Sequence, residues 1–313
     1  MNEYRGKHSS SELPWAVAAT AHSHYRSRHG ARNRRRRIWR FLILAAVLAM
    51  LIWPFASARM LSVDRARIQS EDLPADIGHL RIVYVSDVHY GFFYTDGQMA
   101  SLVNTINGLR PDLVLFGGDM GDSPEAAISF YSKLPSVHAR YAMLGVLGDR
   151  DHGGDNLQRD KVTEAMRSAG VIPLVNALSP VRVGTSVIYV AGLDDTQAGA
   201  PNLEALSAAA GASDYVIFLS HNPSVIPDAQ RATDRAGRLG WFDLALFGHT
   251  HGGQILNLGP LMGIGEDVED RYRGGWLTEN RSNLLISNGV GTETIPARLL
   301  RPAQIHCIDV SRP

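Results

Sequence analysis

The sequence predicts an α/β protein of layered sheets and helices, with one apolar helix ahead of it. Three observations carry that expectation. From residue 81 onward, short β-rich runs alternate with stretches of helical pattern, as in a layered α/β fold. Five of these runs stop at a carboxylate or an imidazole: Ile82 to Asp87 with His89, Leu113 to Asp119, Leu144 to Asp149, Val216 to His221, and Leu244 to His249 with His251. Finally, Phe41 to Phe55 is an unbroken apolar run behind four consecutive arginines, Arg34 to Arg37.

The front of the chain comes first. Residues 1–37 are polar, rich in Arg and His and without apolar periodicity, which predicts a basic, disordered cytoplasmic tail. With Ile38, Trp39 and Ala56, the apolar run approaches the roughly 20 residues that cross a bilayer. Residues 38–58 therefore read as a transmembrane anchor or signal segment. A core helix rarely follows an arginine cluster, and the run lacks the polar face of a surface helix. The arginines precede the run, so the positive-inside rule keeps the N-terminus in the cytoplasm. That predicts a single-pass protein of the inner (cytoplasmic) membrane with an extracytoplasmic domain. Cleavage at the small-x-small tripeptide Ala56-Ser57-Ala58 would instead release an exported protein.

Residues 59–79 read as a linker ending in the turn-prone Leu73-Pro-Ala-Asp-Ile-Gly78, and 80–313 as the globular domain. Strands are expected at 81–86, 112–117, 141–147, 186–193, 215–220, 242–247, 283–287 and 304–309. Thr95 is placed to cap a helix that runs toward Arg110 and stops at Pro111. Further helices are expected near 124–133, 157–169 and 202–210. The late strands have few helices between them, which suggests a second sheet closing the core.

Charge narrows the function. The formal net charge is zero, but residues 1–40 hold ten basic and two acidic side chains, and 41–58 hold neither. Residues 59–313 are left with 21 basic and 29 acidic side chains, a net of −8, which argues against a nucleic-acid partner. Cys307 is the only cysteine, so an intrachain disulfide and a thiolate zinc cluster are both excluded.

Strands that end at one sheet edge would pool their terminal side chains. Oxygen and imidazole nitrogen without thiolate suit a hard-to-borderline divalent cation. Paired cations that share a carboxylate hydrolyse phosphate esters. Each residue alone has an ordinary explanation: an Asp after a strand is more often a turn or cap residue, and a lone His an ordinary polar one. It is their joint order along the chain that carries the inference.

The ordered motifs are Asp87-Val-His89, Gly118-Asp119-Met-Gly-Asp122, Gly148-Asp149-Arg150-Asp151, His221 in Ser-His-Asn-Pro, and Gly248-His249-Thr-His251-Gly-Gly-Gln254. This series resembles that of the calcineurin-like metallophosphoesterases, in particular their membrane-tethered or exported bacterial branch. The resemblance implies a four-layer sandwich of two mixed sheets flanked by helices. It implies two divalent metal ions (Mn, Fe or Zn) and a metal-bridging hydroxide that attacks a phosphate ester or pyrophosphate. By position, Asp87, His89 and His251 would hold one metal, Asp149, His221 and His249 the other, and Asp119 would bridge them. The substrate would be a phosphorylated small molecule or a lipid-linked one.

The third motif departs from the family, which has Asn and then His where this chain has Asp149 and Arg150. Arg150 suits a pair of phosphate oxygens but cannot protonate a leaving group. It would bind substrate and stabilise developing charge, which favours good leaving groups such as pyrophosphate or aryl esters. His152 is a candidate for the missing acid, and Asp151 for orienting Arg150. Asp194-Asp195, Tyr272-Arg273-Gly274 and the Gly-rich Asn288 to Thr292 also resemble this branch. Two other readings compete. Arg150 resembles the UDP-2,3-diacylglucosamine pyrophosphatases of lipid A synthesis, although those act on the cytoplasmic face. The altered motif also fits a metal-binding pseudoenzyme that recognises a phosphorylated ligand.

Overall fold

The computed structural model describes the backbone of residues 15–255 and 267–313, and side chains from residue 34 on. The chain divides into two units, one ending at Trp53 and the other spanning Pro54–Pro313. The first is helix α1, Trp15–Ser57, whose last turn belongs to the second unit. Its segment Arg34–Ser57 is long and apolar enough to cross a membrane. Twenty residues of α-helix span about 30 Å, the thickness of a bilayer core. Of the expected disordered tail, residues 1–14 lie outside the described residues, and residues from Trp15 on are helical, contrary to expectation. Extending a helix costs far less than nucleating one, and this stretch is rich in Ala and Arg, both good helix formers.

The second unit has two six-stranded mixed sheets. The first contains β1 (Ser62–Gln69), β2 (Leu80–Val85), β3 (Leu113–Gly117), β4 (Ala142–Val146), β5 (Ile172–Pro173) and β12 (Gln304–Ser311), in the order β1-β12-β2-β3-β4-β5. The second contains β6 (Ala177–Val183), β7 (Ser186–Gly192), β8 (Val216–Leu219), β9 (Leu244–Phe247), β10 (Gly275–Glu279) and β11 (Ser282–Ile286), in the order β10-β11-β9-β8-β7-β6. Alternation decides which side chains meet. Leu80, Ile82 and Tyr84 of β2 face Ile217, Leu219 and Leu246 in the sandwich interior. Val83 and Val85 point the other way, onto Leu102 and Ile106 of α2 (Asp96–Leu109), Phe130 of α3 (Pro124–Lys133) and Met166 of α5 (Asn156–Ser168). Phe218 and Phe247 pack outward with Trp241, Phe242 and Tyr272, beneath α6 (Leu203–Ala209) and α7 (Ile226–Arg231).

All eight expected strands and the four expected helices form. Thr95 accepts from Gln98 N in a complete capping box at the start of α2. Residues 59–79 are not a linker. Ser62–Gln69 is an edge strand, paired in parallel with β12 from Ser62–Gln304 to Gln69–Ser311. Its charged residues Asp64, Arg65 and Arg67 hide it, because an edge strand buries little and is often charged.

Candidate metal centre

The site lies where β2, β3, β4, β8 and β9 end. β2, β3 and β4 run parallel in one sheet, and β8 and β9 run parallel in the other. Their trailing loops therefore meet at one end of the sandwich. Asp87, His89 and His251 offer ligand atoms within 4.8 Å of one another, and so do Asp149, His221 and His249; a third set is Asp87, Asp119 and His221. Asp119 stands between the groups: its Oδ2 is 3.3 Å from His221 Nε2 and 3.7 Å from His89 Nε2. Asp149 Oδ1 is 3.6 Å from His221 Nε2 and 3.5 Å from His249 Nδ1. All seven side chains expected to ligate metal are brought together.

Three features fit this cluster to cations. Asp87 Oδ2 and His221 Nε2 are buried without a hydrogen-bond partner among the described residues. Such atoms are costly unless something completes them. His89 Nε2 and His251 Nε2 face each other at 3.0 Å, aiming two imidazoles at one point. Each imidazole also has its other nitrogen held from outside: His89 by Asp122 (3.0 Å), His221 by the Gly117 carbonyl (2.9 Å), His249 by Asp267 (3.3 Å) and His251 by Arg298 (3.2 Å). The carboxylate and carbonyl partners of His89, His221 and His249 are of the kind that orients metal-binding imidazoles.

The backbone is strained here. Asp87, His89, Asp119, His249 and His251 all take positive φ, between 49° and 68°. Non-glycine residues adopt that region at a cost of about 1 kcal/mol or more each, and such strain gathers at functional sites. Glycine makes room where chains approach. A Cβ on Gly148 would lie 2.1 Å from Asp119 Oδ1, and one on Gly289 would lie 2.6 Å from the Asp87 side chain. The Asn288 to Thr292 loop is thus a turn packed directly against Asp87.

Electrostatics follow from crowding. Burial opposes a charge on His89, but the Asp122 hydrogen bond and the carboxylates of Asp119 and Asp87 outweigh it and raise the imidazole to about 9. His249, buried but bonded to Asp149 and Asp267, likewise rises to about 9. For Asp149, burial pushes the pKa up, and the imidazoles of His221 and His249 beside it pull it well below the ordinary carboxylate range. Carboxylates thus crowd His89 and His249, whereas burial, with His89 and Arg298 alongside, pushes His251 well below the ordinary imidazole value.

The residues of the third motif part ways. Arg150 is the second residue of α4 (Asp149–His152), and its backbone N–H donates to Asp119 Oδ1 at 3.0 Å. Its guanidinium is about half exposed, pairs with Glu293 and lies 3.5 Å from Asp149 Oδ2. Asp151 is buried and does not reach the Arg150 guanidinium; its carboxylate accepts backbone N–H groups of Met120, Gly121 and Gly148. His152 is buried rather than at the mouth, with Nε2 3.7 Å from Asp194 Oδ1. Four neighbours of the cluster escaped sequence reasoning: Asp122, Asp267, Glu293 and Arg298. Asp122 was visible as the last position of the Gly118-Asp119-Met-Gly-Asp122 motif. Glu293 directly follows the Gly-rich loop. Asp267 and Arg298 carry no local signal.

Two mixed sheets with oxygen and imidazole donors gathered at their strand ends define a metallophosphoesterase, a hydrolase of phosphoric esters. More particularly, the chain belongs to the calcineurin-like phosphoesterase family, whose profile matches residues 80–253. It is 27% identical over 257 residues to the uncharacterized metallophosphoesterase YkuE of Bacillus subtilis, covering 80% of this chain and 86% of that protein. It is also 27% identical over 277 residues to a transmembrane protein with metallophosphoesterase domain of Danio rerio, covering 84% of this chain and 60% of that one. Among solved structures, an archaeal phosphodiesterase aligns with 69% of this chain and 87% of its own at 14% identity and a TM-score of 0.36, a likeness of fold alone.

Proposed function

We propose that the chain is a binuclear phosphohydrolase anchored by α1, its N-terminus cytoplasmic and its catalytic unit outside. The observation that supports this best is the pair of ligand triads with Asp119 between them. Asp87, His89 and His251 would hold one divalent ion, and Asp149, His221 and His249 the other. Mn, Fe and Zn all suit such donors. When bound, such a pair supplies Lewis acidity and lowers the pKa of coordinated water toward neutrality. Arg150 binds and orients phosphoryl oxygens at the mouth and offsets the charge of Asp149 beside it. It holds its proton throughout, so it stabilises charge without protonating the leaving group. That favours pyrophosphate linkages and aryl esters. Glu293 positions the guanidinium, and Asp151 holds the loops after β3 and β4 in place. His152, buried against Asp194, supports α4 and is not positioned as an acid.

The Arg150–Glu293 pair also motivates a second reading, because it engages the guanidinium that lies beside Asp149. A pseudoenzyme would bind phosphate there without hydrolysis. Both readings are decided with the full chain in detergent, loaded with Mn²⁺ or Zn²⁺. Bound metal is measured by mass spectrometry, and turnover with aryl phosphodiesters and nucleotide-sugar pyrophosphates. Asp119→Ala is expected to lose metal and all turnover; full activity in that variant refutes the assignment. The double change Asp149→Asn, Arg150→His should weaken an adapted enzyme and awaken a pseudoenzyme.

A further inference from the structure

Exposed apolar side chains are ordinary when scattered. Here five stand on segments that meet. Phe92 is 89% exposed, Leu300 76%, Met60 58%, Ile295 39% and Phe93 38%. Phe92 and Phe93 follow His89 in the loop after β2, their rings edge to face at 4.9 Å. Ile295 and Leu300 flank Arg298 in the loop that also carries Glu293. One shallow depression, lined by Ala58, Arg59, Leu61, Tyr94, Val290 and Ala303 among others, lies between these segments, although none of the five side chains lines it. Four of the five residues of this rim thus stand on the loops that carry His89, Glu293 and Arg298, and Met60 follows the end of α1.

A second observation says what covers it. The last turn of α1 is fastened to the same rim. The carbonyl of Pro54 accepts from Arg298 N at 2.9 Å, and Ser57 Oγ donates to Arg298 O at 2.5 Å. The guanidinium of this Arg298 lies 3.2 Å from His251. The last turn of α1, which belongs to the second unit, is thereby held beside the site.

We propose that this rim rests in the interfacial zone of the bilayer that α1 crosses, and that the site takes a phosphoester carried on a lipid of the same leaflet. The inference rests on the anchored-phosphohydrolase reading above. Phe and Leu gain by leaving water for the acyl boundary, and a phosphate at headgroup depth then lies beside Arg150. A water-soluble ester would have no need of an apolar collar. A protein or a second copy of the chain would leave the rim dry but free of lipid.

The test uses the full chain in phosphatidylcholine proteoliposomes. Cys307 is buried and is the chain's one cysteine, so introduced thiols take a spin label singly. Labels go on Phe92→Cys, Leu300→Cys, Trp53→Cys within the span, and Leu157→Cys on α5, whose side chain is 62% exposed. Collision with oxygen and with a nickel chelate distinguishes lipid from water. Positions 92, 300 and 53 should favour oxygen, and 157 the chelate. If 53 reads lipid while 92 and 300 read water, or if 157 reads lipid too, the rim proposal falls. If 53 itself reads water, the anchor reading falls and takes the proposal with it. A second arm compares hexadecyl p-nitrophenyl phosphate in vesicles with its methyl analogue in solution. Wild type should prefer the hexadecyl ester by about tenfold or more in kcat/KM, and Phe92→Ser with Leu300→Ser should erase the preference. Equal rates in wild type, or a preference the double variant keeps, overturn the lipid substrate. Hydrolysis of neither ester overturns the lipid substrate, the hydrolase reading being decided separately by the metal and pyrophosphate assays above, and the spin labels still decide the rim.

Discussion

Arg298 shows how much of the site rests on a side chain that touches no substrate. It is wholly buried, and its nitrogens donate to the carbonyls of Asn288, Gly289, Gly291 and Arg301 while Nη2 meets His251. Burial, only partly offset by the Asp87 carboxylate, lowers its pKa to about 10, yet it stays charged near neutrality. Arg298→Met would leave those carbonyls unsatisfied, at a cost on the order of 3 kcal/mol, and would free His251. Thermal unfolding of the metal-loaded chain should show a lower Tm and less metal per chain. Arg298→Lys should recover the charge but not the fork. The seven ligand candidates were legible in the sequence because each ends a hydrophobic run. Arg298, Glu293 and Asp267 were not, because they act through other side chains and sit in loops without periodicity.

At the level of elements, the strands read correctly because burial on both faces leaves long apolar runs, as in Leu113–Gly117. The four edge strands β1, β5, β6 and β10 were missed because edge strands are short or keep polar residues among the apolar ones. Asp243 ties the adjacent strands β8 and β9: its backbone N–H donates to Val216 O at 2.9 Å, and its Oδ2 accepts from Val216 N at 2.8 Å. Burial, with Asp72 nearby, raises its carboxyl from 3.8 to about 7. The native state then keeps a proton that the unfolded chain has lost, so this group's stability is present at low pH and is lost as pH rises toward 7. Asp243→Asn should remove that decline, gaining on the order of 2–4 kcal/mol above neutrality. Denaturant unfolding at pH 5 and pH 8 measures it. Equal stability changes at the two pH values would contradict the assignment.

For the molecule as a whole, the catalytic unit begins at Pro54, not at residue 80. A chain starting at residue 59 keeps β1 but loses the Pro54 and Ser57 bonds to Arg298, so it should fold with a lower Tm. A chain starting at residue 70 loses β1 and bares the whole edge of β12, which should drive association. Size-exclusion chromatography separates these outcomes, and a monomeric chain from residue 70 would show that β1 is dispensable.

The amino-acid order alone determined the layered α/β class, the apolar helix and the seven candidate ligand positions, because hydrophobic period and strand-end chemistry are local properties. Tertiary structure alone decided that Ser62–Gln69 closes the first sheet, that Asp151 and His152 turn inward, and that Arg298 joins the helix end to His251. Those facts depend on which distant segments share a surface, and no local pattern encodes that.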